Sequence, residues 1–383
     1  MNKESVPEQQ RVPRVLLVGV HPGMGGMHMP RHLVRTGIEV AVIGASACMA
    51  SRSGHVREYF PWNSDNKGFA VEPFTSCVRK FQPQWVVPLD ELSVQILQQI
   101  GSGKHGGQDM GVPVDIVALV QHSLGDPKGY SLSSVRRRTY ETACAAGIPV
   151  PTQADVGSLD ATLAFAHSHG YPVVLKRENS MGGMGVFILE DEIALRNFFA
   201  QGLWVAGGAA WVVQRYVPGK LGMHAVLAEK GRILAKVSAV QITRRSTKLT
   251  APSSVVQLCR HESMAASCAA FVAATGASGF HAWDFQLEEA GGAFMIEHNP
   301  RPISISHLGG LLGDDLCTAL AAACGGAPNR RPSDPAQECL VTLFPDEWLR
   351  DPQSPMLHGP FNDAPWDDPA LFTALIKENV RFT

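Results

Sequence analysis

The sequence predicts an α/β protein: an N-terminal doubly wound domain, two α+β lobes and an extended tail. Three observations carry this reading. The apolar run Arg14–Val20 leads through a Gly- and Met-rich loop and a helical stretch into a second apolar run, Glu39–Gly44. That is the strand–loop–helix–strand opening of a doubly wound unit. From Asp126 the texture changes to short strands alternating with helices. Finally, 383 residues that are 45% hydrophobic and 18% charged can fill two or three packed units, and the same composition excludes wholesale disorder.

Within the first domain, 12–124, Trp85–Pro88 (WVVP) ends a further strand, with Asp90 and Glu91 in the loop behind it. Asp90 and Glu91 are placed to face a cleft there, and N-capping of a helix from Leu92 explains Asp90 equally well. Pro113–Val120 is expected as one more strand. The second unit, 126–205, opens with a helical pattern over Leu132–Ala146, stopped by Gly147 with Pro149 and Pro151 beyond. A helix over Ser158–Gly170 follows, then short strands Tyr171–Lys176 and Gly185–Leu189 around a glycine loop. The third unit, 206–330, holds strands at Trp211–Val217, His224–Glu229, Ile233–Val240, Phe280–Glu288 and Met295–Glu297, with a buried Ala-rich helix within Ser263–Phe280. The tail, 331–383, is rich in Pro, Asp and Trp and is expected to wrap a neighbour, with one helix at Pro369–Lys377.

Charge and motif content narrow the function. Lys+Arg number 33 against 35 Asp+Glu, so no global basic field supports non-specific nucleic-acid binding. None of the eight cysteines forms a C-x-x-C pair, which points to reduced thiols in a cytoplasmic protein rather than a zinc ribbon or disulfide framework. Met1–Arg11 has no apolar core of a signal peptide, and no run approaches the roughly 18 apolar residues of a membrane span. Gly23, Gly25 and Gly26 do not make G-x-G-x-x-G, and neither G-x-S-x-G nor H-E-x-x-H occurs, against nicotinamide binding, hydrolase and zinc-protease readings.

Three constellations remain. Lys176 ends a strand and is followed by Ser180, Gly182, Gly183 and Gly185; such glycines let backbone N–H groups approach phosphate oxygens, and a lysine supplies the point charge. A plain hairpin with a flexible turn is the alternative. Asp284 and Glu297 fall on neighbouring strands joined by the turn Ala290-Gly-Gly292, with Asn299 and Arg301 beyond; two carboxylates and an amide oxygen suit Mg2+, and an arginine suits a carboxylate or phosphate. A solvated surface hairpin is the alternative here. Trp211–Val217 runs into Pro218-Gly219, a strand end able to offer backbone groups to a purine.

In this order the motifs resemble the ATP-grasp superfamily, most closely its carbamoyl-phosphate-synthase-like and D-alanine–D-alanine-ligase-like carboxylate–amine ligases. The resemblance covers about half the chain, Asp126–Gly310, and extends more loosely to 12–124 as a Rossmann-like pre-ATP-grasp domain. It implies a small lobe carrying the glycine loop and a large lobe carrying the metal site. It implies Arg136 (or Arg137), before the GIPVP segment 147–151, and Lys176 as phosphate ligands, with Ser180, Gly182, Gly183 and Gly185 as the covering loop. Gln214 stands where the family has an adenine-facing Glu, and the backbones of Arg215 and Val217 match the adenine hinge. Asp284, Glu297 and Asn299 match the metal ligands, and Arg301 the residue steadying an acyl phosphate.

Two positions depart from the pattern. Leu221 replaces the ribose-binding Glu, and Ala282 replaces an Arg before the first metal carboxylate. The basic segment Arg244, Arg245 and Lys248 fills that gap as phosphate or substrate contacts, with Lys248 the catalytic candidate beside Arg301, or is a solvated strand face. The implied function is an ADP-forming ligase using ATP and Mg2+ (or Mn2+) on an amino acid or similar small acid and an amine, with a homodimer compatible. A thiol or bicarbonate acceptor, or a nucleotide-binding sensor without turnover, is the alternative.

Overall fold

A computed structural model describes residues 12–21, 26–62, 71–105, 107–178, 185–202, 204, 210–248, 251–289, 291–326 and 338–380. Four parallel strands, β1 (Arg14–Gly19), β2 (Glu39–Gly44), β3 (Glu58–Pro61) and β4 (Trp85–Pro88), form the first sheet in the order β3-β2-β1-β4. Their continuous apolar runs follow from burial on both faces. Val15 and Leu17 pack with Met29 and Leu33 on one side; Leu16 and Val18 pack with Phe74 and Leu97 on the other.

The strand expected over 113–120 is instead a helix, Val114–Leu124. Its buried residues Ile116 and Val120 lie four apart while Val114 is 84% exposed, which is helical spacing. A short apolar run does not distinguish the two by itself, and Pro113 at the N-cap reads equally well as a strand boundary. A minimal hairpin, β5 (Lys104–His105) and β6 (Gln108–Asp109), precedes it.

The small sheet contains β7 (Gln153–Asp155), β8 (Val173–Arg177), β9 (Val186–Leu189) and β10 (Trp211–Arg215), antiparallel in the order β7-β10-β8-β9. Helices Leu159–His169 and Glu192–Ala200 cover it. The helical pattern ahead of it is two helices, Tyr130–Ser134 and Arg136–Ala145, because Val135 between them is extended.

The large sheet holds β11 (Lys220–Glu229), β12 (Arg232–Arg244), β13 (Ser253–Cys259), β14 (Gly279–Leu287), β15 (Ala293–Asn299) and β16 (Cys339–Thr342), antiparallel in the order β15-β14-β11-β12-β13-β16. On one face lies the Ala-rich helix Glu262–Thr275, whose Phe271 and Val272 pack with Trp283 and Phe285. On the other face Met223, Ala225 and Val237 share a continuous core with helix Leu316–Ala323 and with Leu17 and Val40 of the first sheet. That shared core fixes the first domain against the large sheet.

The tail wraps its own chain: helix Pro369–Val380 buries Leu371 and Leu375 against Met27 and Met49. All eight cysteines are free. No described helix is long and apolar enough to cross a membrane.

Candidate active site

The site is built on the β14–β15 hairpin. Pairing runs Leu287↔Ala293, Gln286↔Phe294 and Phe285↔Met295; then the register shifts, and Asp284 faces Glu297 while Ala282 faces Asn299. Ile296 is the extra residue of a β-bulge. Without it, Ile296 would stand opposite Asp284. The bulge therefore brings the two carboxylates face to face, a re-aiming typical of bulges near functional sites. It also frees the Ile296 carbonyl, which accepts from Lys176 Nζ at 3.2 Å.

Lys176 reaches the hairpin from β8 and is buried. Burial lowers its pKa to about 8; Arg136 pushes the same way, and Glu297 and Asp284 oppose it. Asp284 is held well above the ordinary carboxylate range, first by burial and then by the charge of Glu297. Arg136 opens a helix that packs on this hairpin through Ala143, with Ile148 just beyond its end in the same core, and its Nη2 donates to Glu297 Oε1 at 3.3 Å. Arg137 turns away to Glu141 and Asp155.

Arg301 leaves β15 toward the first domain. Its Nε donates to Glu91 Oε1 at 3.0 Å, its Nη2 donates to the same oxygen, and Nη2 also lies 3.5 Å from Asn299 Oδ1. Glu91 opens the helix after β4. Asp90 beside it is the N-cap, accepting from Ser93 N at 2.7 Å and, through its other oxygen, from Val20 N at 2.8 Å. Of that acidic pair, Glu91 faces the site and Asp90 holds the loop.

On the small-sheet side, Gln214 is buried and donates through Nε2 to Gln153 Oε1 at 3.1 Å. Arg215 lies over the Phe294 ring at 5.4 Å, and Val217 is buried. Gly185 closes the base of the glycine loop, accepting from Arg177 N at 2.8 Å. Ser180, Gly182 and Gly183 lie outside the described residues. In the basic segment, Arg245 pairs with Asp346 at 3.2 Å, and Lys248 is exposed in the turn after β12. No hydrogen bond or ion pair among the described residues joins the Lys248 side chain to the carboxylates.

His298 and His281 serve the scaffold. Their rings stack at 5.3 Å, His298 Nδ1 pairs with the Ser133 carbonyl at 2.6 Å, and burial depresses both pKa values. Glu91, one of the two acids the sequence offered to a cleft, has its partner 210 residues away. One side chain escaped the motif reading: Glu178, two residues past Lys176, with a buried Oε1 that has no hydrogen-bond partner and a pKa raised by burial. It lies just beyond β8, and no local pattern marks it.

The arrangement gathers two facing carboxylates and an amide oxygen, with a buried lysine and two arginines beside them. Such a set could hold a polyanion together with a divalent cation.

Residues 136–309 match the family described as carbamoyl-phosphate synthase L chain, ATP binding domain. Three solved structures share the fold at low identity. Carboxyaminoimidazole ribonucleotide synthase from Aspergillus clavatus, complexed with ATP, has a TM-score of 0.61 at 14% identity over 86% of this chain and 81% of that one. Biotin carboxylase from Campylobacter jejuni gives 0.60 at 13%, over 87% and 76%. The biotin carboxylase domain of Hydrogenobacter thermophilus 2-oxoglutarate carboxylase, with MgADP, ADP and bicarbonate, gives 0.58 at 17%, over 84% and 71%.

Proposed function

We infer that this chain, whose residues 136–309 are an ATP-grasp domain, is an ATP- and Mg2+-dependent carboxylate–amine ligase working through an acyl phosphate. The observation that supports it most is the convergence of Lys176, Arg136 and Arg301 on the Asp284–Glu297 pair and Asn299.

The residues fit a hard divalent cation. Asp284 and Glu297 face each other across adjacent strands, and a cation there would offset the burial and, after it, the Glu297 charge that raise the Asp284 pKa. Asp284, Glu297 and Asn299 would hold it, and bound there it would neutralise phosphate charge during transfer. Lys176 and Arg136 would bind the phosphates. Ser180, Gly182, Gly183 and Gly185 would cover them and keep water from the intermediate. Lys248 would contact phosphate or substrate from the basic segment.

A carboxylate oxygen of the acid forms a bond to the γ-phosphorus as the bond to ADP breaks. The amine then attacks the acyl carbon, phosphate leaves with the C–O bonding pair, and the amine loses a proton. Arg301 would steady the acyl phosphate and its tetrahedral successor. Glu91, bonded to Arg301, places the first domain beside the acid. The acid is a small one such as an amino acid, the amine is a second small molecule, and a homodimer is compatible with the site.

The test is product analysis with Mg-ATP, hydroxylamine as a trap, and pools of amino acids, small carboxylic acids and bicarbonate. ADP, phosphate and a hydroxamate are expected. AMP with pyrophosphate overturns the acyl-phosphate route, and nucleotide binding without turnover in every pool overturns the ligase reading.

A further inference from the structure

A second cluster lies where three distant segments meet. His28 precedes helix Met29–Arg35, His307 lies in the turns beyond Arg301, and Asp363 belongs to the tail. The three residues are only 4%, 4% and 5% exposed. We propose that they form a binding site for a zinc-class transition-metal ion, which pins the tail to the first domain and to the loop behind β15.

Asp363 Oδ2 lies 3.5 Å from Nε2 of His28 and 3.5 Å from Nε2 of His307. Those separations are long for direct hydrogen bonds. They match the edge of a tetrahedron whose centre sits about 2.0–2.1 Å from each ligand, which is roughly 3.3–3.4 Å. The ligand atoms of all three residues fall within 4.8 Å of one another. Neither ring nitrogen of His28 has a hydrogen-bond partner, nor has Nε2 of His307. Buried polar atoms are rarely left so, and here they converge on one carboxylate oxygen.

The surroundings support the site. The other oxygen of Asp363 accepts from Phe344 N at 2.5 Å, which orients the carboxylate as outer partners of metal ligands do. Arg31 is committed elsewhere: Nη1 donates to Asp367 at 2.7 Å and Nη2 to the Asp363 carbonyl at 2.7 Å. Its charge is matched by Asp367, leaving the Asp363 side chain to the imidazoles. His32, one turn beyond His28, borders the cluster: its Nε2 is also buried without a partner, and its ring lies 4.7 Å from that of His307. Imidazoles with one carboxylate select Zn2+, Co2+ or Ni2+ over Mg2+, so this site differs in chemistry from the oxygen site on β14–β15.

The experiment uses the untagged full chain, stripped with a chelator and titrated with Zn2+ against a chromophoric competitor, then with Co2+ alone. One equivalent of Zn2+ per chain, visible bands of a tetrahedral cobalt centre, and a Tm raised by a few degrees by Zn2+ but not by Mg2+ are expected. His307→Asn and Asp363→Asn are compared; the second keeps an acceptor for Phe344 N. Both should weaken Zn2+ at least about 100-fold. Absence of stoichiometric Zn2+ and Co2+ binding by the native chain overturns the proposal. So does wild-type affinity in both variants. Should neither variant fold, the cobalt spectrum and the Zn2+-dependent Tm of the native chain decide alone.

Discussion

Arg301 and Glu91 are bonded across 210 residues of sequence, with Nε and Nη2 of the arginine on one carboxylate oxygen. The arginine expected to meet the acyl phosphate is thereby fastened to the domain expected to read the acid. Arg301→Ala should lower ATP turnover by about 10²–10³ while leaving nucleotide affinity within a few fold. Glu91→Gln should lower turnover roughly tenfold, because the guanidinium keeps its charge but loses its anchor. Steady-state rates alongside nucleotide titrations check both, and equal losses of affinity and turnover would contradict this division of roles.

The facing carboxylates store repulsion for a cation to relieve. Asp284→Asn should therefore stabilise the ligand-free chain, by about 1 kcal/mol, while cutting Mg2+-dependent turnover about 10²-fold or more. Urea unfolding with and without Mg-ATP tests this. The variant should also lose most of the extra stability that Mg-ATP confers on the native chain.

Buried histidines set the acid limb of stability. His224 is fully buried on β11 with Nδ1 2.7 Å from Ser238 Oγ, and burial, with Lys236 and His261 in support, lowers its pKa to about 3. An unfolded histidine titrates near 6.5, so between about 6.5 and 3 the unfolded chain binds the extra proton. Its contribution is unchanged above pH 6.5 and turns against the fold as pH drops through that window. From pH 7 to 5 the native chain should lose up to about 2 kcal/mol relative to His224→Gln, read from denaturant midpoints.

The hinge turn admits only glycine. Gly219 has φ +146°, and a Cβ there would lie 2.0 Å from the Leu287 carbonyl. Gly219→Ala should cost about 2 kcal/mol or more and disturb the adjacent hinge, raising the Kd for nucleotide more than Leu221→Ala does. Calorimetry and nucleotide titration of the two variants test the ordering.

The hairpin that sets Asp284 against Glu297 was legible because both carboxylates fall within one strand–turn–strand unit, where a Gly-Gly turn and spacing suffice. The bulge at Ile296 was not, since nothing in Met295-Ile-Glu297 distinguishes a bulged residue from a paired one. Lys176 and Arg136 were placed through family resemblance; their approach to the hairpin depends on how the lobes pack. The 114–124 helix was misread because a short apolar run carries too few periods. β13 and β16 were missed because strand pairing across distant segments leaves no local mark. For the same reason Glu91 had no visible partner, nor did Asp363. Gln214, expected at the adenine, stands directly opposite Gln153 and donates to it, a cross-strand pairing that no local pattern announces.

The pairing of β16 with β13 has a consequence for handling the protein. Val255, Val256 and Leu258 of β13 are fully buried, and the backbone groups of that strand are satisfied on one side only by Cys339–Thr342. A chain cut before residue 339 would present an apolar, hydrogen-bond-hungry edge to solvent, a template for pairing with other chains. Such truncations should assemble into β-rich aggregates even where the small and large sheets are otherwise intact, so the tail serves as the sheet's guard against self-association.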